Sequence, residues 1–261
     1  MNVSDLGFGV AGALDHAVLR VVARRLEAEG FRTLWVNDTP DGDALAGLAV
    51  AAAETSRIRL ATGVISIDRS TPEAILEAVR QHELPEHRLI LGIGGAAKPR
   101  PLSRVEQALA VMKSALDCRI MVGALGPKMR RLGAERGDGL LLNWLTPEAA
   151  REAVADRDRD AAHAGTTGIE ACLYVRTALG AAAGERMREE AERYGRIPSY
   201  KANFDRMGVS AGDTTVAGET AAEIREGLDR YTGMLDELVV RAVTPADTAD
   251  EYLRLIDAIV D

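Results

Sequence analysis

Aromatic side chains are scarce: Phe, Tyr and Trp together make up 4% of the 261 residues. A core with so few rings must be aliphatic and closely spaced, and the 47% hydrophobic content supplies one. Only two cysteines occur, Cys118 and Cys172, both inside apolar strand-like runs, which excludes a disulfide framework. Lysine is limited to four positions, Lys98, Lys113, Lys128 and Lys201. With a net charge of -8 there is no broad basic face, so no nucleic-acid partner is expected, while a small local anion site remains open. There is no H-E-x-x-H, no G-x-S-x-G and no cysteine pair at metal spacing, which excludes the usual zinc and serine-hydrolase chemistry. The four histidines, His16, His82, His87 and His163, fall on helices or in loops at the amino ends of strands, away from the expected site. No apolar run reaches the roughly 18 residues that span a bilayer. No signal peptide opens the chain either, so no membrane partner and a cytoplasmic location are expected.

What is present is alternation. Strand-like runs cover Leu6–Val10, Thr33–Asn37, Ile58–Ile65, Arg88–Ile93, Arg119–Ala124, Gly139–Trp144, Ile169–Thr177 and Glu237–Val243. Helix-like stretches lie between them: Asp15–Glu29, Asp43–Glu54, Pro72–Glu83, Leu102–Leu116, Pro127–Arg136, Pro147–His163, a longer region from Gly184 to Tyr231, and Pro245–Ile259. Thr71-Pro72, Thr146-Pro147 and Thr244-Pro245 each place a hydroxyl cap before a proline at the first helical position. Strands alternating with helices mean βαβ units and a parallel sheet. Eight strands without a linker favour one closed (β/α)8 TIM barrel, a single α/β domain over residues 1–261 with few insertions. Active sites in such barrels gather at the carboxyl ends of the strands.

Those ends carry the informative residues. The second strand runs into Asp38, which reads either as a turn residue or as a group beside a ligand. In the third, Gly63 interrupts a β-branched run and marks a bulge or a close approach to the backbone. Asp68 and Arg69 beyond it read as a pair that caps the next helix. The fourth ends in Gly92-Ile93-Gly94-Gly95-Ala96-Ala97, a loose G-x-G-x-x-A in the wrong place for a dinucleotide fold; its glycines read as room for a flat ligand. The fifth ends in Leu125-Gly126-Pro127, the start of a helix whose free N–H groups form an anion site. Asn143, Trp144 and Thr146, one loop later, are candidates to complete and wall it. With so few acids and bases at the mouth, a cofactor is expected to carry the chemistry.

"GFRTLWVND", "IRLATGV", "HRLILGIGG" and "VGALGPKMRRLGAERGDGLLLNW" together resemble the bacterial luciferase-like flavin-dependent oxidoreductases. The likeness is nearest to the actinobacterial branch that uses coenzyme F420 or FMN, and it is strongest over Leu26 to Glu148. The resemblance implies a (β/α)8 barrel and an F420- or FMN-dependent oxidoreductase or monooxygenase acting on a small molecule. F420 is the favoured cofactor, FMN the alternative, and a homodimer stays open. It implies a non-prolyl cis peptide at Gly63-Val64 behind the ring, Asp38 near the ring, and a phosphate site at Gly126 with Asn143 and Thr146. A histidine and a glutamate found in the sugar-phosphate dehydrogenase branch are replaced here by Thr39 and by an alanine of Ala96-Ala97. Arg176 and Arg241 read either as groups over the ring or as buried ion-pair partners. Two other classes stay open on the residues alone: a barrel enzyme that binds a phosphate ligand for different chemistry, and a non-catalytic member that has lost its cofactor. Bound-cofactor absorbance distinguishes them.

Overall fold

Sequences such as LILGIG and GLLLN are apolar on both strand faces, the mark of parallel strands covered on both sides. In the computed structural model, which describes residues 2–95 and 99–261, these runs form the wall of a barrel. The chain alternates β1 (Leu6–Ala11), α1 (His16–Glu29), β2 (Thr33–Asn37), α2 (Ala44–Glu54), β3 (Arg59–Ser66), α3 (Pro72–Gln81), β4 (Leu89–Gly94) and α4 (Pro101–Lys113). It continues with β5 (Arg119–Gly123), α5 (Pro127–Arg136), β6 (Gly139–Asn143), α6 (Pro147–Ala164) and β7 (Glu170–Leu179). Each of β1 to β7 pairs in parallel with the next except that β9 (Glu237–Ala242) closes the ring between β7 and β1. The expected eight-stranded (β/α)8 barrel is therefore what the chain forms.

The region from Gly184 to Tyr231, legible only as helical, resolves into several elements. They are α7 (Ala181–Arg196), α8 (Pro198–Met207), a three-residue strand β8 (Val216–Gly218) and α9 (Ala221–Asp229). β8 adds to the outer end of β7 and stands outside the closed ring. One expected helix start is displaced. Thr244-Pro245 does not open the last helix; α10 (Ala249–Val260) begins after Thr248, whose reciprocal hydrogen bonds with Glu251 make a capping box. Thr71 and Thr146 do cap α3 and α6.

Aliphatic side chains fill the layer between sheet and helices. Inside the barrel the filling is one side chain or two per strand: Trp35, Ala61, Ile90, Met121, Leu141, Cys172, Tyr174 and Val239. β1 contributes none of these. A Cβ at Gly7 would strike Trp35 and Glu237, and one at Gly9 would strike Tyr174, so β1 is thinned to admit the two largest rings. The amino end of the barrel is closed by charge. The Glu237 carboxylate, with no exposure, accepts from Trp35 Nε1 at 2.6 Å, Thr33 Oγ1 at 3.0 Å and Arg59 at 2.5 Å. Glu170 beside it takes Arg32 at 3.0 Å and Arg59 at 3.2 Å. Burial pushes the Glu237 carboxyl above its ordinary range, against the pull of Arg59 and the Trp35 and Thr33 donors.

Candidate active site

At the carboxyl ends of the strands the barrel opens into a cleft of about 330 Å³, within the range of small-molecule sites. Its floor is the end of β3, where the register against β4 slips between Thr62 and Ile65. The Gly63–Val64 peptide there is cis, as the resemblance implied. Glycine is required at 63, because a Cβ would overlap the Tyr174 hydroxyl.

The glycines of β4 do something other than expected. A Cβ on Gly94 would touch a methyl of Val64 at 3.0 Å, one on Gly123 at 2.8 Å, and one on Gly92 would run into the Thr62 carbonyl. The space they leave is taken by Val64 and the Thr62 carbonyl, so they seat the bulge. Gly94 and Gly123 still line the cleft; Gly92 is buried beneath it. Ala96, Ala97 and Lys98 lie outside the described residues.

Asp38 and Thr39 reach the cleft from β2. Asp38 is ion-paired with Arg69, which also donates to its backbone carbonyl at 3.1 Å. Asp68 pairs with Arg104 at 2.6 Å. The expected Asp68–Arg69 pair is thus replaced by two pairs that tie β2 to the β3 loop and that loop to α4. The Thr39 hydroxyl and Asn37 Oδ1 are buried without a hydrogen-bond partner, as is the Tyr174 hydroxyl.

Asn143 lines the cleft, but not as a free amide: its Oδ1 accepts from Arg176 at 2.7 Å. Arg176 is 3% exposed and is held by Glu190 of α7 at 2.7 Å. Its guanidinium lies 3.6 Å over the Trp144 ring and 5.0 Å over Tyr194. Burial raises the Glu190 carboxyl, and Arg176 and Arg241 more than reverse this, leaving it below the usual carboxylate range. The buried-ion-pair alternative therefore holds for Arg176. Arg241, half-buried, donates to the Ala242 carbonyl.

Two expected site residues face elsewhere. Trp144, at φ +55°, turns away from the strand and buries its ring against Tyr194 and Phe204; it backs Arg176 and does not wall the cleft. The Thr146 hydroxyl accepts from Ala149 N and is occupied as the cap of α6. His16, expected away from the site, opens α1 on the mouth side but is exposed and does not line the cleft.

Leu125 lines the cleft and Gly126 follows it as the cap of α5. Gly126 has no side chain to satisfy the first-turn N–H groups. Arg206 of α8 stands over this turn, with Nη2 3.9 Å from where a Gly126 Cβ would be. Buried Asn203 places it, accepting from Arg206 at 2.9 Å while donating to the Trp144 carbonyl at 3.2 Å. Arg130 donates to the Leu125 carbonyl at 3.0 Å and keeps a buried Nε without a partner. Burial, then the charge of Arg206, lowers the Arg130 pKa. Neither arginine is ion-paired within 4 Å among the described residues, although Asp156 and Glu152 pull the Arg130 pKa partly back up, so two like charges and an uncapped helix start converge on one spot. Lys128, the other candidate cation, is exposed. Sequence patterning missed Arg130 and Arg206 because a guanidinium on a helix reads as solvated surface.

A parallel eight-stranded barrel with its cleft at the strand ends and a cis bulge on β3 defines a class of small-molecule binding barrels. The chain belongs to the luciferase-like monooxygenase family, whose sequence model matches residues 9–117 and 95–181. It is 26% identical over 185 residues to 5,10-methylenetetrahydromethanopterin reductase of Methanolobus tindarius, covering 56% of this chain and 57% of that protein. The chain thus spans little more than half the length of that curated relative. Its fold is similar to that of an F420-dependent secondary alcohol dehydrogenase in complex with an F420-acetone adduct, with a TM-score of 0.76, 16% identity and 100% of both chains covered. It is also similar to the FMN complex of the oxygenating constituent of 3,6-diketocamphane monooxygenase from Pseudomonas putida. There the TM-score is 0.73 at 13% identity, over 98% of this chain and 97% of the other. Among the described residues no helix is long and apolar enough to cross a membrane.

Proposed function

We propose that this chain is a flavin-type oxidoreductase that takes coenzyme F420 in preference to FMN and acts on a small organic molecule in the cytoplasm. The observation that carries it is the anion site at Gly126, built from an uncapped helix start and the unpaired Arg130 and Arg206 beside a cleft floored by Gly63 and Val64. These residues fit a planar ring with a phosphate-bearing tail. The cleft is lined by Val64, Leu125, Leu141 and three tyrosines, suiting a ring, and Arg206 stands over the adjoining turn at Gly126. The F420 title among the similar folds favours the deazaflavin.

Bound there, the cofactor supplies hydride transfer, or as FMN the activation of dioxygen. The protein orients it. Val64 would back the ring, Arg130 and Arg206 would hold the phosphate, and Asn143, its Oδ1 fixed by Arg176, would offer its amide N–H groups. Asp38 lies at the edge with its charge compensated by Arg69. Tyr194 and Tyr200, from the α7–α8 pair, form the outer wall over the substrate position.

Titration with F420 and with FMN, followed by fluorescence quenching, tests this. Arg206→Ala should weaken the preferred cofactor about ten- to a hundredfold, the range of a lost hydrogen bond to a charged group. Gly126→Ala adds a Cβ that meets no protein atom nearer than 3.9 Å, so it should reduce affinity without lowering the melting temperature. A wild-type protein that binds neither cofactor would exclude the assignment.

A further inference from the structure

The Tyr174 hydroxyl has no place in the fold's own bonding. Its residue is 3% exposed and its oxygen is buried, yet among the described residues no group accepts from it or donates to it. Native interiors rarely leave a hydroxyl in this state, because an unsatisfied buried polar group costs about 1–3 kcal/mol. The ring itself is well placed. It lies edge-on to Trp35 at 5.8 Å and tops the apolar filling of the barrel, so the hydroxyl points from the barrel axis toward the mouth. The chain makes room for it there, since Gly63 is the one residue type that leaves the hydroxyl its position. Burial raises its pKa, so it remains a proton-bearing donor throughout the ordinary pH range.

The charges around the cleft say what it would meet. Among the described residues, each charged side chain that lines the cleft is already ion-paired: Asp38 with Arg69, Asp68 with Arg104, Arg176 with Glu190. A carboxylate or ammonium group seated against Gly63 would be desolvated without a free counter-charge among these lining residues. An uncharged oxygen acceptor bears no such penalty. Arg241 lies at the far edge of the tyrosine ring, where a Cβ at Gly9 would meet both Tyr174 Cε1 and Arg241 Cδ. Its positive charge favours electron density drawn onto an oxygen bonded to the hydroxyl.

We infer that Tyr174 is the hydrogen-bond donor to an uncharged carbonyl oxygen bound against Gly63 in the barrel mouth. This rests on the proposed oxidoreductase function, in which two carbonyl sources exist: the ring of the cofactor and the substrate. Either oxygen occupies the same donor, and they are separable by experiment.

Tyr174→Phe removes the oxygen and keeps the ring. Because the hydroxyl bonds nothing in the protein, the variant should melt at or above the wild-type temperature without ligand. Cofactor affinity is then measured with F420 and FMN alone, by fluorescence quenching. Cyclohexanone, labelled with carbon-13 at its carbonyl, is bound separately with and without oxidised cofactor, and its C=O stretch is followed by infrared spectroscopy. A loss of cofactor affinity of about three- to tenfold, as for one neutral hydrogen bond, places the cofactor carbonyl on Tyr174. Unchanged cofactor affinity with a downshifted ketone band present in wild type and absent in Tyr174→Phe places the substrate there. Equal affinities and identical bands in the two proteins overturn the inference. So does a lowered melting temperature in the variant, which would mean that the hydroxyl has a protein partner. If wild type binds neither F420 nor FMN, the oxidoreductase assignment fails, and the ketone band in cofactor-free protein still decides the role of Tyr174.

Discussion

Glu237 and Tyr174 are both buried polar groups inside one barrel, and they live under opposite rules. At the amino end both Glu237 carboxylate oxygens are engaged, by Trp35, Thr33 and Arg59, with Arg32 and Glu170 extending the network. At the carboxyl end Asn37, Thr39 and Tyr174 each keep a buried polar atom with no partner, and α5 begins without a capping side chain. A fold that satisfies one end so fully can leave the other unsatisfied, and unsatisfied groups are what a ligand completes. Glu237 and Tyr174 are joined through Trp35, which donates to Glu237 at 2.6 Å and meets the Tyr174 ring edge-on at 5.8 Å.

The sharpest way to break this contrast is at Glu237. Glu237→Ala leaves Arg59 and the Trp35 and Thr33 donors without their buried acceptor, and should cost about 3–5 kcal/mol in chemical denaturation. Cofactor affinity per folded molecule should not change. A loss of affinity with stability intact would mean that the two ends are not separate.

Much of this was legible beforehand, and the gaps have physical causes. Strands buried on both faces read as continuous apolar runs, so the barrel's eight strands were visible. β8 was not, because three residues set no periodicity. Gly63 and Gly126 stood out because glycine has few reasons to sit in those places. Tyr174 and Glu237 did not, since an aromatic within an apolar strand reads as core and an acid at a strand start reads as surface. Asn143 was legible as a site candidate but its tie to Arg176 was not, as that partner is distant in sequence and only the fold brings them together. Thr146 shows the converse: the same threonine–proline pattern that marks a helix start uses up the hydroxyl that might otherwise serve a ligand.

At the open end the expected effects fall on turnover. The Asp38–Arg69 pair is partly exposed, with 41% of the arginine side chain accessible, so Asp38→Ala should shift stability by only about 0–1 kcal/mol. Turnover per folded molecule should fall by about tenfold or more, the equivalent of one charge-assisted hydrogen bond. A fall in melting temperature with turnover unchanged would make Asp38 a turn residue only.

The smallest expected effect returns to the closed end. Glu27, near the end of α1, accepts from the backbone N–H groups of Ser56, Arg57 and Ile58 ahead of β3. Partial burial raises its carboxyl, but those amides outweigh it and hold the pKa at about 2 against an ordinary 4.5. The unfolded chain therefore takes up the proton first. The stability from Glu27 is whole above pH 4.5 and is lost as pH falls toward 2. Acid titration of Glu27→Gln, monitored by circular dichroism, should show a shallower decline across that interval than wild type.

β7 joins the two ends. It carries Glu170 at its start and Tyr174 and Arg176 further on, and it is paired on both edges: with β6 from Glu170 to Tyr174, with β9 from Cys172 to Thr177, and with β8 from Thr177 to Leu179. A strand clamped this way has no edge from which to fray. Its amides should exchange with solvent more slowly than those of α7 and α8, which lie outside the sheet. The proposed donor in the mouth is thus mounted on the part of the molecule expected to open most slowly, and the proposed substrate wall on helices expected to open faster.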